Sequence, residues 1–206
     1  MGVTHYEPPE TLVMGGDSEP APPGHRPTFD VDSLRRYADK FVPGEVVWVT
    51  EKIHGANGRF CYAEGRMRCG SRTMWKKDDP QSIWWKAQSA HREIGNFCQD
   101  NPEITVYGEV YGQVQDLRYG TMPGEVHIAV FDLLRGKEWI NPREARMIGS
   151  KLPWVPLIGE FQFGTGLILD CAEGQTLIPG AVHVREGCVV KPTEERRDDE
   201  IGRVCL

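Results

Sequence analysis

The chain has 206 residues, 39% hydrophobic and 26% charged, which is enough for one generous domain or two small ones. This mixture excludes wholesale disorder and collagen-like, coiled-coil or membrane-barrel architecture, and no apolar run reaches the ~18 residues of a membrane-spanning helix. The net charge of −6 speaks at first sight against a nucleic-acid binder.

Residues 1–27 hold six of the fifteen prolines, with Gly15-Gly16 and Pro22-Pro23-Gly24 among them, and read as a mobile arm ahead of a domain over 28–206. A short helix follows, capped by Asp32 or Ser33, with Leu34, Tyr37, Ala38 and Phe41 on one face and Pro43-Gly44 as its stop. Residues 46–50 are β-rich, and 58–63 and 66–70 form two strands around a Glu64-Gly65 turn. Residues 81–99 predict one helix, its apolar face built from Ile83, Trp84, Ala87, Ala90, Ile94 and Phe97. Strands are expected over 104–111, 126–134 and 186–191, and a second short helix over 143–152 after Pro142. The charge run over 194–200 reads as a solvated loop. There is no internal repeat. Helices and strands do not alternate strictly, so the expected fold is α+β, with mixed, largely antiparallel sheets and flanking helices.

Six cysteines without CxxC spacing, and no apolar leader, predict reduced thiols in an intracellular protein, cytoplasmic or in a host cytoplasm if viral. Tyr6 stands where a myristoylation signal needs Ser or Thr.

The segment with most chemistry is Lys52-Ile53-His54-Gly55-Ala56-Asn57. A lysine that closes a β-rich run before a glycine turn can be held against a pocket wall. Its amine is a good nucleophile only when neutral, and an ordinary lysine pKa near ~10.4 leaves about one in a thousand in that form. An isolated turn lysine is more often a plain surface group.

This string resembles motif I of the covalent nucleotidyltransferases, K-x-(D/H)-G-x-(N/R). The histidine at its third place, with Glu51 before the lysine, resembles the RNA-ligase branch; DNA ligases and mRNA-capping enzymes usually carry Asp there. Cys69-Gly70-Ser71-Arg72-Thr73 resembles the segment whose arginine contacts the nucleotide. Val106 to Gly112, around Glu109, resembles motif III, and Val130-Phe131-Asp132 resembles motif IIIa, with its base-stacking aromatic. Glu186-Gly187-Cys188-Val189-Val190-Lys191 resembles motif IV, E-G-x-x-x-K. The resemblance runs from Val46 to Lys191, about 70% of the chain, and is closest to the RNA-ligase-2-like family.

That resemblance implies a nucleotidyltransferase (ATP-grasp-like ligase) fold and an ATP-dependent RNA ligase acting on RNA ends or a nicked RNA duplex. Lys52 would attack the α-phosphorus of ATP, AMP would pass to a 5′-phosphate, and a 3′-hydroxyl would seal the strand. Glu51, His54, Gly55, Asn57, Arg72, Glu109, Phe131, Glu186 and Lys191 would bind the nucleotide, with Mg²⁺ (or Mn²⁺) as metal and Glu186 as its ligand. The alternatives are a DNA ligase, a GTP-using capping enzyme, or a non-catalytic nucleic-acid-binding relative. On an ideal strand Glu186, Cys188 and Val190 share one face and Lys191 the other, so either the strand bulges or Lys191 stays out of the pocket that holds Glu186. No lysine follows Lys191, so the domain is expected to end before the family's last lysine motif, with Arg203 as a partial substitute.

The acidic total hides a local excess. From Lys52 to Lys86 there are eight Lys or Arg against three Asp or Glu. Arg66, Arg68, Lys76 and Lys77, with Arg72 and Trp75, are expected to form a basic patch for RNA, a mixed solvated hairpin being the alternative.

Overall fold

The computed structural model describes residues 16–25 and 31–206. Its strands are β1 (Ser18–Glu19), β2 (Val46–Lys52), β3 (Ala56–Ala63), β4 (Arg66–Ser71), β5 (Trp75–Lys76), β6 (Ile104–Gly112), β7 (Val126–Arg135), β8 (Glu138–Trp139), β9 (Leu157–Gln162), β10 (Gly187–Pro192), β11 (Arg197–Asp198) and β12 (Gly202–Arg203). The helices are α1 (Leu34–Tyr37), α2 (Ile83–Ala90), α3 (Arg92–Asp100), α4 (Pro142–Ile148) and α5 (Thr165–Ala172).

Seven strands form one antiparallel sheet in the order β1-β5-β4-β3-β6-β7-β8, and three form a second in the order β10-β2-β9. Period-2 burial explains both. In the large sheet Phe60, Val106, Val110, Ile128 and Val130 face Trp85 and Ala87 of α2 and Ile94 and Cys98 of α3. In the small sheet Val47, Val49 and Val190 pack against Phe41, Phe163, Ile168 and Leu206. The opposite faces of the two sheets meet each other, where Tyr107, Phe131 and Val189 form one apolar cluster and Ile53, Ala129 and Val155 another.

One irregularity decides what faces the second sheet. Along β6 and β7, Tyr107 pairs with Asp132 and Gly108 with Val130, so Phe131 is an extra residue opposite no partner. This bulge turns Phe131 and Asp132, consecutive in sequence, toward the same side.

The α+β, largely antiparallel expectation is met, with four differences. The single helix over 81–99 is two helices, broken at His91, whose backbone leaves the helical region at φ −116°, ψ 69°. Its ring is held by Glu93 and His127. β9 and α5 were not expected; Leu157 to Gln162 alternates too weakly to announce a strand. The charge run is not simply solvated, because Arg196 pairs with Glu45 and Asp198 with Lys40. Of the arm expected over 1–27, residues 1–15 and 26–27 lie outside the described residues. Within the described part, Ser18–Glu19 is the edge strand of the large sheet, paired with β5.

Candidate active site

The two sheets enclose a cleft of about 290 Å³. Lys52, the last residue of β2, projects into it beside His54 and Gly55 of the following turn. Asn57, Arg72, Glu109 and Phe131 enter from the large sheet, and Glu186, Val189 and Lys191 from β10 and the residue before it. These are the site residues expected from sequence, brought together from segments more than a hundred residues apart.

Lys52 Nζ donates to Glu186 Oε1 at 2.6 Å, and His54 Nδ1 lies 3.3 Å from Glu186 Oε2. Glu186 therefore stands between the amine and the imidazole. Glu109 is the second carboxylate of the cleft. Burial is the main influence on its carboxyl and repulsion by Glu186 the next; together they outweigh Lys52 and the Gly55 N–H, and its pKa is pushed up to about 8. At neutral pH Glu109 thus mostly keeps its proton and can donate as well as accept. Asn57 is its cross-strand partner, and Asn57 Oδ1 is buried with no hydrogen-bond partner among the described residues.

The raised Glu109 carboxyl has a measurable sign. Between about 4.5 and about 8 the folded chain holds a proton that the unfolded chain has released, so stability falls as pH rises through this window. Glu109→Gln is expected to remove that part of the slope, visible as a smaller loss of Tm between pH 5 and pH 8 than in the parent, in a thermal-unfolding series.

Glycine is required at position 55 for space. A Cβ there would stand 2.2 Å from the Val110 carbonyl oxygen and 3.1 Å from Glu109 Cγ. The turn can therefore lie flat on β6, bringing Lys52 and Glu109 into one cleft. The His54 N–H donates to Tyr119 Oη at 2.7 Å, which fixes the next turn residue.

Three expected residues behave differently from the simplest reading. Glu51 touches the cleft, but its carboxylate is buried and accepts from the Thr176 hydroxyl and, at 2.7 Å, from the Leu177 N–H. Lys191 does line the cleft together with Val189, while Cys188 and Val190 face the second core. No bulge in β10 is needed, because β10 begins at Gly187 and Glu186 precedes the strand. Arg203 is not among the groups lining the cleft. It binds both oxygens of Asp132, at 2.7 and 3.0 Å, pairs with Glu195 and lies over the Trp139 ring.

Asp132 is the residue sequence reasoning passed over. It is fully buried and also accepts from Lys191 Nζ at 2.7 Å. Burial works against its charge, but Arg203 and Lys191 outweigh it and hold the carboxyl below the usual carboxylate range. Lys191 donates as well to the Phe131 carbonyl at 2.8 Å, so one lysine ties the small sheet to the bulge of the large one.

The expected basic patch lies outside the cleft. Arg68 and Lys76 are buried; Arg68 binds Glu19 and Glu64, Arg66 binds Glu19, and Lys76 binds Asp17. Lys77 Nζ donates to the Gly16 carbonyl.

No three His, Cys, Asp or Glu side chains among the described residues are grouped to hold a metal by themselves. Glu186 suits instead a Mg²⁺ that arrives on phosphate oxygens, since that ion commonly takes one or two protein carboxylates and keeps its waters.

A strand-end lysine thus faces two carboxylates between two antiparallel sheets. The sequence profile described as RNA ligase matches residues 45–205, and the chain belongs to the RNA ligase family. Among curated proteins none matches. Solved structures of an RNA ligase from Naegleria gruberi share the fold. With PPi bound, that protein superposes with a TM-score of 0.72 at 18% identity, over 92% of this chain and 59% of its own. Two variants, one with ATP and Mn and one with AMP and Mn, each give a TM-score of 0.74 at 18% identity over 91% of this chain. The chain thus spans about 59% of the length of these structures.

Proposed function

We propose that this chain is the adenylyltransferase core of an ATP-dependent RNA ligase that joins RNA ends or seals nicked RNA duplex. The observation that carries this reading is Lys52 at the mouth of β2, hydrogen-bonded to Glu186 in a cleft that also holds Glu109, Arg72 and Phe131. ATP and Mn, or AMP and Mn, accompany the structurally similar Naegleria ligase variants, which supports the same donor here.

In this reading Phe131 supplies a ring for the base, and Asn57 Oδ1 and the Glu109 carboxyl take the hydroxyl or amino groups of the nucleoside. Arg72 and Lys191 carry positive charge toward the phosphates, and arginine does so in fork geometry. Lys52 forms the N–P bond to the α-phosphorus as the bond to pyrophosphate breaks. Its ammonium must first lose a proton to free the lone pair for attack, and Glu186 Oε1, at 2.6 Å, is the acceptor in reach. Glu186 would hold Mg²⁺, whose chemistry is to neutralise phosphate oxygens. The rest of the work is positioning, as in phosphoryl transfer generally.

Incubation with α-labelled ATP or GTP and Mg²⁺, followed by a denaturing gel, tests the first step. Label from ATP supports the reading, and a preference for GTP points to capping. Absence of label from both would sink the enzymatic reading and leave a nucleic-acid-binding relative. Sealing of nicked RNA but not nicked DNA duplex is the expected second result. Gly55→Ala is expected to lower the rate of labelling by ~100-fold or more, because its Cβ would push the lysine-bearing turn off β6 by about an ångström.

Six free thiols, five of them buried, agree with a reducing intracellular setting for this activity. No helix among the described residues is long and apolar enough to cross a membrane.

A further inference from the structure

The basic residues of β4 stand at alternate positions. Arg66 and Arg68 lie opposite Ala63 and Cys61 of β3, and Gly70 lies opposite Arg59. Arg72, two residues further on, lines the cleft with Asn57. Arg66, Arg68 and Arg72 therefore project from the sheet face onto which the cleft opens, forming a cationic line that runs away from Lys52. Lys76 on β5 pairs with Cys69 and lies over the Trp84 ring of α2, so it faces the helices and not this line.

That outer end is covered. β1 joins the sheet by only two residue pairs, yet Glu19 binds Arg66 at 2.7 Å and Arg68 at 2.8 Å, and Asp17 binds Lys76 at 2.7 Å. The same segment then crosses the sheet face to β6, where His25 Nδ1 meets Thr105 Oγ1 at 2.8 Å. Glu19 thus occupies the position where a phosphate of a nucleic-acid backbone would meet Arg66 and Arg68, whereas the pair of Asp17 and Lys76 lies on the helix-packed side of the sheet.

We infer that residues 16–25 are a displaceable cover on an RNA-backbone track, with Glu19 standing in for a phosphate. The inference rests on the RNA-ligase reading in taking RNA as the polyanion. An RNA strand leaving the cleft along β4 must lift the cover, and Arg66 and Arg68 become its partners when it does. The cover lowers affinity for strands that reach the outer end and leaves shorter strands confined to the cleft unaffected.

The test compares the whole chain with Glu19→Gln, which keeps side-chain shape, and with Asp17→Asn, whose partner Lys76 lies off the track. Glu19→Gln is expected to bind a single-stranded oligoribonucleotide about threefold to fivefold more tightly at low salt, as expected for loss of a competing surface ion pair, and Asp17→Asn to bind as the parent does. The log–log salt slope should steepen by ~0.7 for each additional phosphate that the freed cations neutralise. Arg66→Ala in the Glu19→Gln background should cancel the tighter binding. Hydrogen exchange on the unaltered chain gives a second reading. The Lys77 N–H, bonded to the Asp17 carbonyl at 2.9 Å, should exchange faster when RNA is saturating. A folded Glu19→Gln that binds RNA no more tightly, an Asp17→Asn that gains as much, or a Lys77 amide that stays protected with RNA bound, would overturn the cover. Labelling of Lys52 by ATP is read in parallel without RNA and should be equal in parent and variants. Its absence in all of them would count against the ligase reading alone, because the RNA titration and the exchange experiment do not depend on it.

Discussion

Lys52→Ala is expected to abolish covalent attachment of the nucleotide, with labelling reduced at least ~1,000-fold and in practice to background. No other amine can take over. Lys191 also lines the cleft, but its Nζ is bonded to Asp132 and to the Phe131 carbonyl, a buried position from which it cannot reach the mouth of β2. Lys52 itself is half-exposed, so its loss should leave the melting temperature nearly unchanged. If label persisted in Lys52→Ala, the nucleophile would have to be sought elsewhere. Sealing of RNA already carrying a 5′-adenylate bypasses the lysine and is expected to survive in the variant, separating loss of nucleophile from loss of site.

Asp132→Ala is expected to have the largest effect on stability. It would leave Lys191 and Arg203 buried without the carboxylate that both bond, and breaking a buried ion pair in this way costs about 3–5 kcal/mol. For a chain of this size that corresponds to a fall of about 10 °C in Tm. Asp132→Asn keeps the shape and one acceptor and should fall between the parent and the alanine variant. Because the same carboxylate holds Lys191 at the cleft, labelling of the folded Asp132→Asn fraction should also slow. A melting curve within about 2 °C of the parent for Asp132→Ala would show that the two cations find other partners, contrary to their burial.

The parts of the site carried by short local strings were legible in the sequence. Lys52 ends a β-rich run and Gly55 follows in a turn; both the nucleophile and the need for close approach are written within six residues. Glu109, Phe131 and Glu186 were legible because each sits in its own short motif and the motifs follow in order. Two things were not. Period-2 reasoning put Glu186 and Lys191 on opposite faces, because it extended β10 one residue too far; strand ends are set by pairing, and Glu186 lies before the first pair, Gly187 with Lys52. The same reasoning cannot see a bulge, so Asp132 was hidden behind Phe131. The basic patch was misjudged for a different reason. Its counter-charges come from Asp17 and Glu19, 47 to 59 residues earlier, and nothing in a charge count along the chain says which acids will lie on which bases.

The extra residue in β7 has an evolutionary consequence. It sets the phase between a side chain that faces the cleft and one that clamps the interior, with a single backbone step between them. Side chains on this strand are free to drift so long as size and charge are kept, and the fold here is shared with the Naegleria ligase at only 18% identity. Its length is not free. Removing Phe131 would erase the bulge and empty the cleft of its ring while the pairs of Gly108 with Val130 and Tyr107 with Asp132 persisted, whereas removing a residue from a regular stretch of β7 would turn the positions beyond it to the wrong face. This lineage is thus expected to accumulate substitutions in β7 and to confine insertions and deletions to the loops on either side of it.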